Sequence, residues 1–367
     1  MSNSPKGTNS PSQLWITTNS PGELSSWVTP LVRLIREARP TVIITIALVP
    51  CQYSSGHEYE IASQIPGVSH VLTPSETIRY LIGFKWPHRG KRGAVLCLGG
   101  DPMYAKGLGW VHDWPVIAYS EHEYGLGFGI KTVLRKSVIG DLMASRIAMR
   151  SRSTPEKQID VVFFTGSRPK QFDVFAPHVV TIARQLHLRK PQLRIALQRS
   201  LFIDDERWAT FCATQPVDGI QLVTQDSLDT LAHSRLMISL PGTSTAESMY
   251  MGTPMMVLVP LNRLDLIQMD GLLGIIGSIP WLGTLLKKLA IMVMKTKNRK
   301  VALPNMIARR EIVPELVGVL EPDKIAQRIL EVLESPETLA EQRREFDRFM
   351  ATTAAADRIV AELNQWI

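Results

Sequence analysis

The chain has 367 residues, of which 45% are hydrophobic and 20% charged, with a formal net charge of +7. That length exceeds one typical core and predicts two domains, and the composition is that of a globular chain rather than a disordered or fibrous one. The positive balance implies an anionic partner. With no basic helix interleaved with aromatics and no zinc-finger or RNA-binding signature, nucleic acid is set aside in favour of a nucleotide-sugar or an anionic lipid. Cys51, Cys97 and Cys212 lie far apart without metal-ligand spacing, which predicts reduced thiols in a cytoplasmic protein and no metal site.

Residues 1–12 are polar, lack the apolar core of a signal peptide and are expected to form a disordered tail. Leu14 to Thr17 reads as a first strand, followed by a Pro-Gly turn and a helix from about Trp27 to Ala38. Val42 to Val49, Ala94 to Leu98, Val116 to Tyr119 and Lys136 to Ile139 read as further strands. Strands interleaved with helices predict an α/β fold with a doubly wound, mostly parallel sheet over residues 13–150. The polar stretch Ser151 to Lys157 reads as a linker. A second αβ series begins at Asp160 and defines a domain over 158–335, and the tail from Pro322 to the end, which includes the C-terminal helical segment 336–367, reads as two helices.

Two loops in the second half carry the strongest chemical signal. The apolar run Arg235 to Ile238 leads into Pro241-Gly242-Thr243-Ser244-Thr245 and then Glu247, before a second run from Met255 to Val259. This is a strand, a tight small-residue turn, a helix and a strand. The turn leaves backbone N–H groups at a helix start, where the dipole favours phosphate. Glu247, one turn in, is placed to accept hydrogen bonds from a sugar hydroxyl, although the stretch also reads as an ordinary turn. The second loop, Gly166-Ser167-Arg168, ends the buried run from Asp160 to Phe164 and precedes a helix over Phe172 to Leu188. Gly166 permits the sharp turn, Ser167 can donate a hydrogen bond, and the Arg168 fork matches a phosphate. Together the two loops suit a nucleoside diphosphate.

In the first half, Asn19 to Ser26 brings Glu23 to a strand end, and Leu98-Gly99-Gly100-Asp101-Pro102 does the same for Asp101. Asp101 can take a proton from an acceptor hydroxyl, or it can simply cap a turn or helix. Glu121-His122-Glu123 surrounds an imidazole with carboxylates, suited to proton chemistry near neutral pH or to a solvated loop. From Gly271 through Leu286 the chain is uncharged but short of the roughly 18–20 residues that span a bilayer, and a lysine-rich run follows. The stretch from Leu272 to Lys300 therefore reads as a peripheral membrane contact, with internal packing or a homodimer interface as the alternatives.

Taken together these residues resemble the lipid-A-disaccharide synthase family, inverting glycosyltransferases of the two-domain GT-B fold. Gly22-Glu23 with Ser25 is similar to that family's Gly-Glu-x-Ser opening, and Asp101-Pro102 falls at its Asp-Ala-Pro loop. Ile139-Gly140-Asp141-Leu142-Met143-Ala144 is similar to its Ile-Gly-His-x-Met-Ala run, with Asp141 at the histidine. Gly166-Ser167-Arg168 resembles its Pro-Gly-Ser-Arg loop, and Gly242-Thr243 with Ala246-Glu247 its Gly-Thr-Ala-x-x-Glu pattern. Leu303-Pro304-Asn305-Met306-Ile307-Ala308 with Arg310-Glu311 and Glu315-Leu316 is the closest run. The resemblance implies two Rossmann-like domains with a cleft between them and a UDP-sugar donor of the N-acetylglucosamine type, with no further cofactor. It implies a catalytic role for Asp101; Glu23 and His122, from their own places at strand ends, are further catalytic candidates. Diphosphate binding falls to Arg168 and the loop from Pro241 to Thr245, and the nucleotide site is completed by Glu247, Asn305, Arg310 and Glu311.

On the acceptor side the chain departs from the family. It lacks the apolar insertion between the first helix and Asp101, and Ser120 to Phe128 replaces the aromatic Ser-Pro-Ser-x-Trp-Ala-Trp loop. The expected activity is transfer of a sugar from a UDP donor to an unidentified, lipidic acceptor at the inner face of the membrane. A UDP-sugar 2-epimerase and a non-catalytic binding scaffold are the alternatives.

Overall fold

A computed structural model describes residues 11–51, 54–83, 91–120, 127–148, 156–260, 300–319, 321–349 and 354–367. The chain divides into two compact units, one made of residues 1–150 with 352–367 and the other of residues 151–351.

Each unit is built on a six-stranded, wholly parallel sheet. The first contains β1 (Gln13–Thr18), β2 (Ile43–Leu48), β3 (His70–Leu72), β4 (Gly93–Cys97), β5 (Val116–Ser120) and β6 (Thr132–Arg135), in the order β3-β2-β1-β4-β5-β6. The central strand β1 is buried along its whole length, as a strand covered by helices on both faces must be, and such strands read as unbroken apolar runs. It pairs with β2 on one side, Trp15 opposite Thr45, and with β4 on the other, Trp15 opposite Val95. The second unit repeats the plan with β7 (Ile159–Phe164), β8 (Ile195–Gln198), β9 (Ile220–Val223), β10 (Ser234–Ser239), β11 (Met255–Pro260) and β12 (Glu315–Gly318), ordered β12-β11-β10-β7-β8-β9. In both sheets the chain first winds one way from a central strand and then returns to wind the other way. The order therefore reverses between β1 and β4, and between β7 and β10.

The helices follow from capping and burial. After β1 the chain turns through α1 (Pro21–Glu23), a π-helical turn at Leu24–Val28, and α2 (Thr29–Ala38). The helical path thus begins before Trp27. Next come α3 (Glu58–Gln64), α4 (Pro74–Ile82), α5 (Pro102–His112), α6 (Lys136–Ile139) and α7 (Leu142–Ala148). The expected strand at Lys136 to Ile139 is α6; the strand lies just before it, at Thr132–Arg135. Val138 faces solvent while Ile139 is buried, and the ladder to β5 ends at Arg135.

In the second unit, α8 (Pro169–Arg189) buries Phe172, Phe175, Val179 and Leu186 against the sheet, with Pro169 in its first turn. It is followed by α9 (Asp205–Thr214), α10 (Ser227–Ala232) and α11 (Thr243–Tyr250). Phe172 meets Phe211 edge-on at 5.1 Å between ring centroids. The C-terminal run forms three helices rather than two, Pro322–Leu333, Pro336–Asp347 and Ala355–Leu363. Ser335 caps the second and Pro336 opens it, which ends the first. The third belongs to the first unit, where Arg39 Nε donates to Asn364 Oδ1 at 2.8 Å and Thr132 Oγ1 to Glu362 Oε1 at 2.8 Å.

Asp160, buried at the start of β7, ties three elements together. Its oxygens accept from the Arg194 backbone N–H at 3.0 Å, from Arg194 Nε at 3.1 Å and from Arg235 Nη1 at 3.0 Å. Burial alone would raise its carboxyl, but the hydrogen bonds from Arg194 and Arg235 outweigh it and hold the group below the usual range. An acid held low in the folded state binds fewer protons there than when unfolded. Its contribution is therefore complete above the ordinary aspartate value near 4 and fades as pH falls through the lowered one. Asp160→Asn is expected to cost about 1–3 kcal/mol at neutral pH. It should also flatten the acid limb of a stability–pH profile measured by urea unfolding.

Candidate functional site

Glu23 and Asp101 in the first unit, and Gly166 to Arg168 with Pro241 to Thr245 in the second, fall at the places where strand order reverses. In the second unit, β7 and β10 are direct neighbours, with Phe164 opposite Ser239. The loop Thr165 to Arg168 leaves the end of β7, and the loop Leu240 to Gly242 leaves the end of β10. Adjacent parallel strands whose connections depart in opposite directions leave a crevice outside their carboxyl ends.

Gly166 takes φ +92°, open to glycine at no steric cost, and a Cβ there would come within 2.5 Å of Gln171 Oε1. Thr165 is buried and donates to the Gln198 carbonyl at 3.3 Å. The Gln198 side chain extends this support: Nε2 donates to the Gln225 carbonyl at 2.9 Å, and Oε1 accepts from Thr230 at 2.5 Å. Arg168 occupies the cap position of α8 in an extended conformation, with Pro169 next.

In the second loop, Pro241, Gly242 and Thr243 are exposed and Ser244 half-buried at the start of α11. Thr245 Oγ1 donates to the Gly242 carbonyl at 2.8 Å and accepts from the Leu303 N–H at 3.4 Å. That contact joins the loop to the helix Leu303–Ala308, which packs on α11. Glu247 is buried and accepts from Ser227 Oγ at 3.1 Å, at the first turn of α10.

The expected nucleotide residues beyond this point have other uses. Asn305 is wholly buried. Its Oδ1 accepts from the N–H groups of Ile312 and Val313 at 2.6 and 2.9 Å, while Nδ2 donates to the Val313 carbonyl and to Glu315 Oε1, both at 2.8 Å. An amide engaged at both ends holds a loop and leaves no donor or acceptor turned outward for a nucleotide. Arg310 pairs with Glu345 on the helix Pro336–Asp347, and Glu311 with Lys300 at 2.9 Å. Sequence reasoning gave Glu315 no role. Its Oε1 accepts from the N–H groups of Val301 and Ala302 as well as from Asn305, so it closes the entry to this segment. The Asn305 and Glu315 pair at ten-residue spacing was visible in the sequence, but its partners were not.

In the first unit, β1 and β4 are neighbours, with Ile16 opposite Leu96. Glu23 Oε2 accepts from Thr18 Oγ1 at 2.9 Å and from the Asn19 N–H at 2.9 Å, and the Glu23 N–H donates to Ser20 Oγ at 3.3 Å as a capping box. Its carboxylate lies against Gly99, where an added Cβ would fall 1.9 Å from Oε2. Glu23 thus fastens one loop and shapes the next. Gly100, at φ +75°, turns the chain into Asp101.

Asp101 is exposed and caps α5, with Oδ1 accepting from the Met103 N–H at 2.9 Å. Both carboxylates are felt at the buried Cys97 thiol. Burial chiefly pushes that thiol up, Glu23 and Asp101 add to this, and the Lys106 ammonium opposes it. Asp141 is buried, paired with Lys136 Nζ at 2.8 Å, and caps the Met143 N–H at 2.9 Å. His122 and the segment from Leu272 to Arg299 lie outside the described residues. Among the described residues, no helix is long and apolar enough to cross a membrane, and no group of three or more His, Cys, Asp or Glu is arranged to hold a metal ion.

Two parallel sheets of this order, each with its candidate loops at the reversal point, define the GT-B class of two-domain α/β folds. Among solved structures, the chain matches UDP-GlcNAc 2-epimerase from Neisseria meningitidis, solved with UDP-GlcNAc bound, with a TM-score of 0.57 at 13% identity, covering 96% of this chain and 100% of that one. It matches MurG from Acinetobacter baumannii with a TM-score of 0.50 at 12% identity, covering 97% and 100%. At these identities the likeness is one of fold. No protein-family model matches the chain.

By sequence the chain is a divergent relative of lipid-A-disaccharide synthases. It is 24% identical to the synthase of Nitrosococcus oceani over 200 residues, 54% of this chain and 46% of the relative. To that of Hydrogenovibrio crunogenus it is 26% identical over 204 residues, 53% and 48% respectively. The chain spans about half the length of the curated relatives it matches.

Proposed function

We propose that this protein is an inverting glycosyltransferase that moves a sugar of the N-acetylglucosamine type from UDP to a lipid hydroxyl at the inner face of the cytoplasmic membrane. The observation that carries the reading is the pairing of Gly166-Ser167-Arg168 with Pro241 to Thr245 at the ends of adjacent strands β7 and β10. A guanidinium and the exposed first N–H groups of α11 then serve one anion. The synthase relatives supply the reaction class, and the UDP-GlcNAc held by the Neisseria epimerase supplies the donor class.

In this reading the acceptor oxygen attacks the anomeric carbon as the bond from that carbon to the diphosphate oxygen breaks. UDP departs with the electron pair, and the acceptor proton passes to Asp101. Arg168 and the α11 N-terminus offset the charge that develops on the diphosphate, a preorganised arrangement that costs nothing at the moment of reaction. Asp101 suits its part because Oδ1 is held by the helix cap while the group as a whole stays exposed.

The test is incubation of the full chain with UDP-N-acetylglucosamine, with and without a lipid extract. Release of UDP only when the extract is present supports transfer. Conversion of the donor alone to a second sugar nucleotide would replace this reading with an epimerase. Turnover in neither arm would leave a nucleotide-binding scaffold.

A further inference from the structure

At the edge of the second sheet opposite the candidate donor loops, cations outnumber carboxylates. Asp160, near the start of β7, is already shared between Arg194 Nε at 3.1 Å and Arg235 Nη1 at 3.0 Å. Lys157, half-buried and three residues earlier, donates from Nζ to the Ala232 carbonyl at 2.6 Å, and Arg194 Nη2 donates to the Lys157 carbonyl at 2.9 Å. The main chain runs close here too. The N–H groups of Gln158 and Ile159 both donate to the His233 carbonyl, at 2.9 and 3.0 Å. The end of α10, the start of β10 and the segment leading into β7 are thereby drawn together.

A third cation comes from the helix Pro336–Asp347. Gln342, buried on that helix, accepts through Oε1 from the Met255 N–H at 2.9 Å. Met255 opens β11 and lies opposite Met237 of β10, two residues past Arg235. The helix is therefore pinned to the amino ends of β10 and β11, and Arg343 follows Gln342 along it. Arg343 is half-buried, and among the described residues it has no hydrogen-bond or ion-pair partner. Glu345, on the same helix, is taken by Arg310 and Arg348. Burial and the nearby Arg235 hold the Arg343 guanidinium below its usual range, and burial and Arg343 do the same to the Lys157 ammonium. Like charges gathered without a counter-charge repel, and an anion placed among them turns that cost into attraction.

We propose that Lys157, Arg235 and Arg343 form a second anion site, at the amino ends of β7 and β10, that takes a small phosphate-bearing molecule. Two guanidinium forks match phosphate oxygens in pairs, and the ammonium adds a point charge. With Arg194 included, four cations surround the single carboxylate of Asp160, so a dianion brings the group close to neutrality. The donor loops leave the opposite, carboxyl ends of these same strands. Strands of six residues put the two edges about 20 Å apart, so one ligand does not serve both. The site stands independently of the transferase reading, and its occupant would clamp the helix Pro336–Asp347 to the foot of the sheet.

The test is thermal unfolding of the full chain in inorganic phosphate and in chloride at matched ionic strength, in an Arg168→Ala background so that the donor loops contribute little. Phosphate at about 20 mM should raise the unfolding midpoint by about 2 °C or more over chloride. Adding Arg343→Gln should abolish that rise and should increase the midpoint in chloride, because it removes a repelled cation. Arg343→Lys keeps the charge and should retain a reduced rise, which separates charge from packing. Equal phosphate responses with and without Arg343→Gln would overturn the proposal, as would no response to phosphate in the Arg168→Ala chain. A lower midpoint in chloride for Arg343→Gln would overturn it as well, since the cation would then be a stabilising one. In the otherwise wild-type chain, Arg343→Gln should leave UDP affinity unchanged. None of these outcomes depends on turnover, so failure here leaves the transferase reading where it stands.

Discussion

Asp101→Asn is expected to lower turnover by about 10²–10⁴-fold while leaving UDP affinity and stability close to those of the wild-type chain. The expectation follows from where the side chain stands. Oδ1 caps α5 through the Met103 N–H, and asparagine caps a helix as well as aspartate does. The substitution therefore keeps the loop and the helix start and removes only the ability to accept a proton. Asp101→Ala removes the cap as well and should add about 1 kcal/mol of destabilisation to the same loss of turnover. Steady-state rates together with urea unfolding of both variants separate the two effects. Unchanged turnover in Asp101→Asn would remove Asp101 from the chemistry and leave it a capping residue.

The second large effect is on stability. Asn305→Ala strands the buried N–H groups of Ile312 and Val313, the Val313 carbonyl and one bond to Glu315, all of which the Asn305 amide satisfies. Unpaired buried groups cost about 1–3 kcal/mol each, and partial relaxation of the loop recovers some of this, so the loss should be about 3 kcal/mol or more. Asn305→Asp keeps the acceptor oxygen but turns a second carboxylate towards Glu315 and the Val313 carbonyl. It should be destabilised too. Urea midpoints for the three proteins check both statements. A midpoint unchanged in Asn305→Ala would mean that the amide does not hold the segment from 301 to 315.

Much of the architecture was legible because the central strands of a parallel sheet are buried on both faces and spell unbroken apolar runs. β4 and β11 do so from end to end, and β1, β2, β7 and β10 do so over three or four residues at a stretch. The edge strands do not: β3 has three residues and an exposed His70, and β12 is only half-buried and opens on Glu315. Lys136 to Ile139 misled because two adjacent apolar residues look alike in a strand and in a helical turn when no period is visible. At the candidate site the glycine turns and the loops at strand ends were legible, since Gly166 and Gly100 mark bends that other residues adopt poorly. What single side chains do within those loops was not. Glu23 is held by the backbone of its own turn, Asn305 by a backbone segment seven and eight residues on, and Arg310 by Glu345, thirty-five residues away. Partners of that kind depend on the path of the chain, which a motif names without describing.

The most direct test of the donor site is a calorimetric titration of UDP into the purified chain, with Arg168→Ala and Arg310→Ala alongside. A charge-assisted bond to phosphate contributes about 1.5–3 kcal/mol, so Arg168→Ala should weaken UDP binding by about 10- to 100-fold. Arg310→Ala should leave it unchanged, because that guanidinium is committed to Glu345. Saturable UDP binding with this pattern is the predicted result. No binding of UDP, or equal loss in both variants, would contradict a donor site at the ends of β7 and β10.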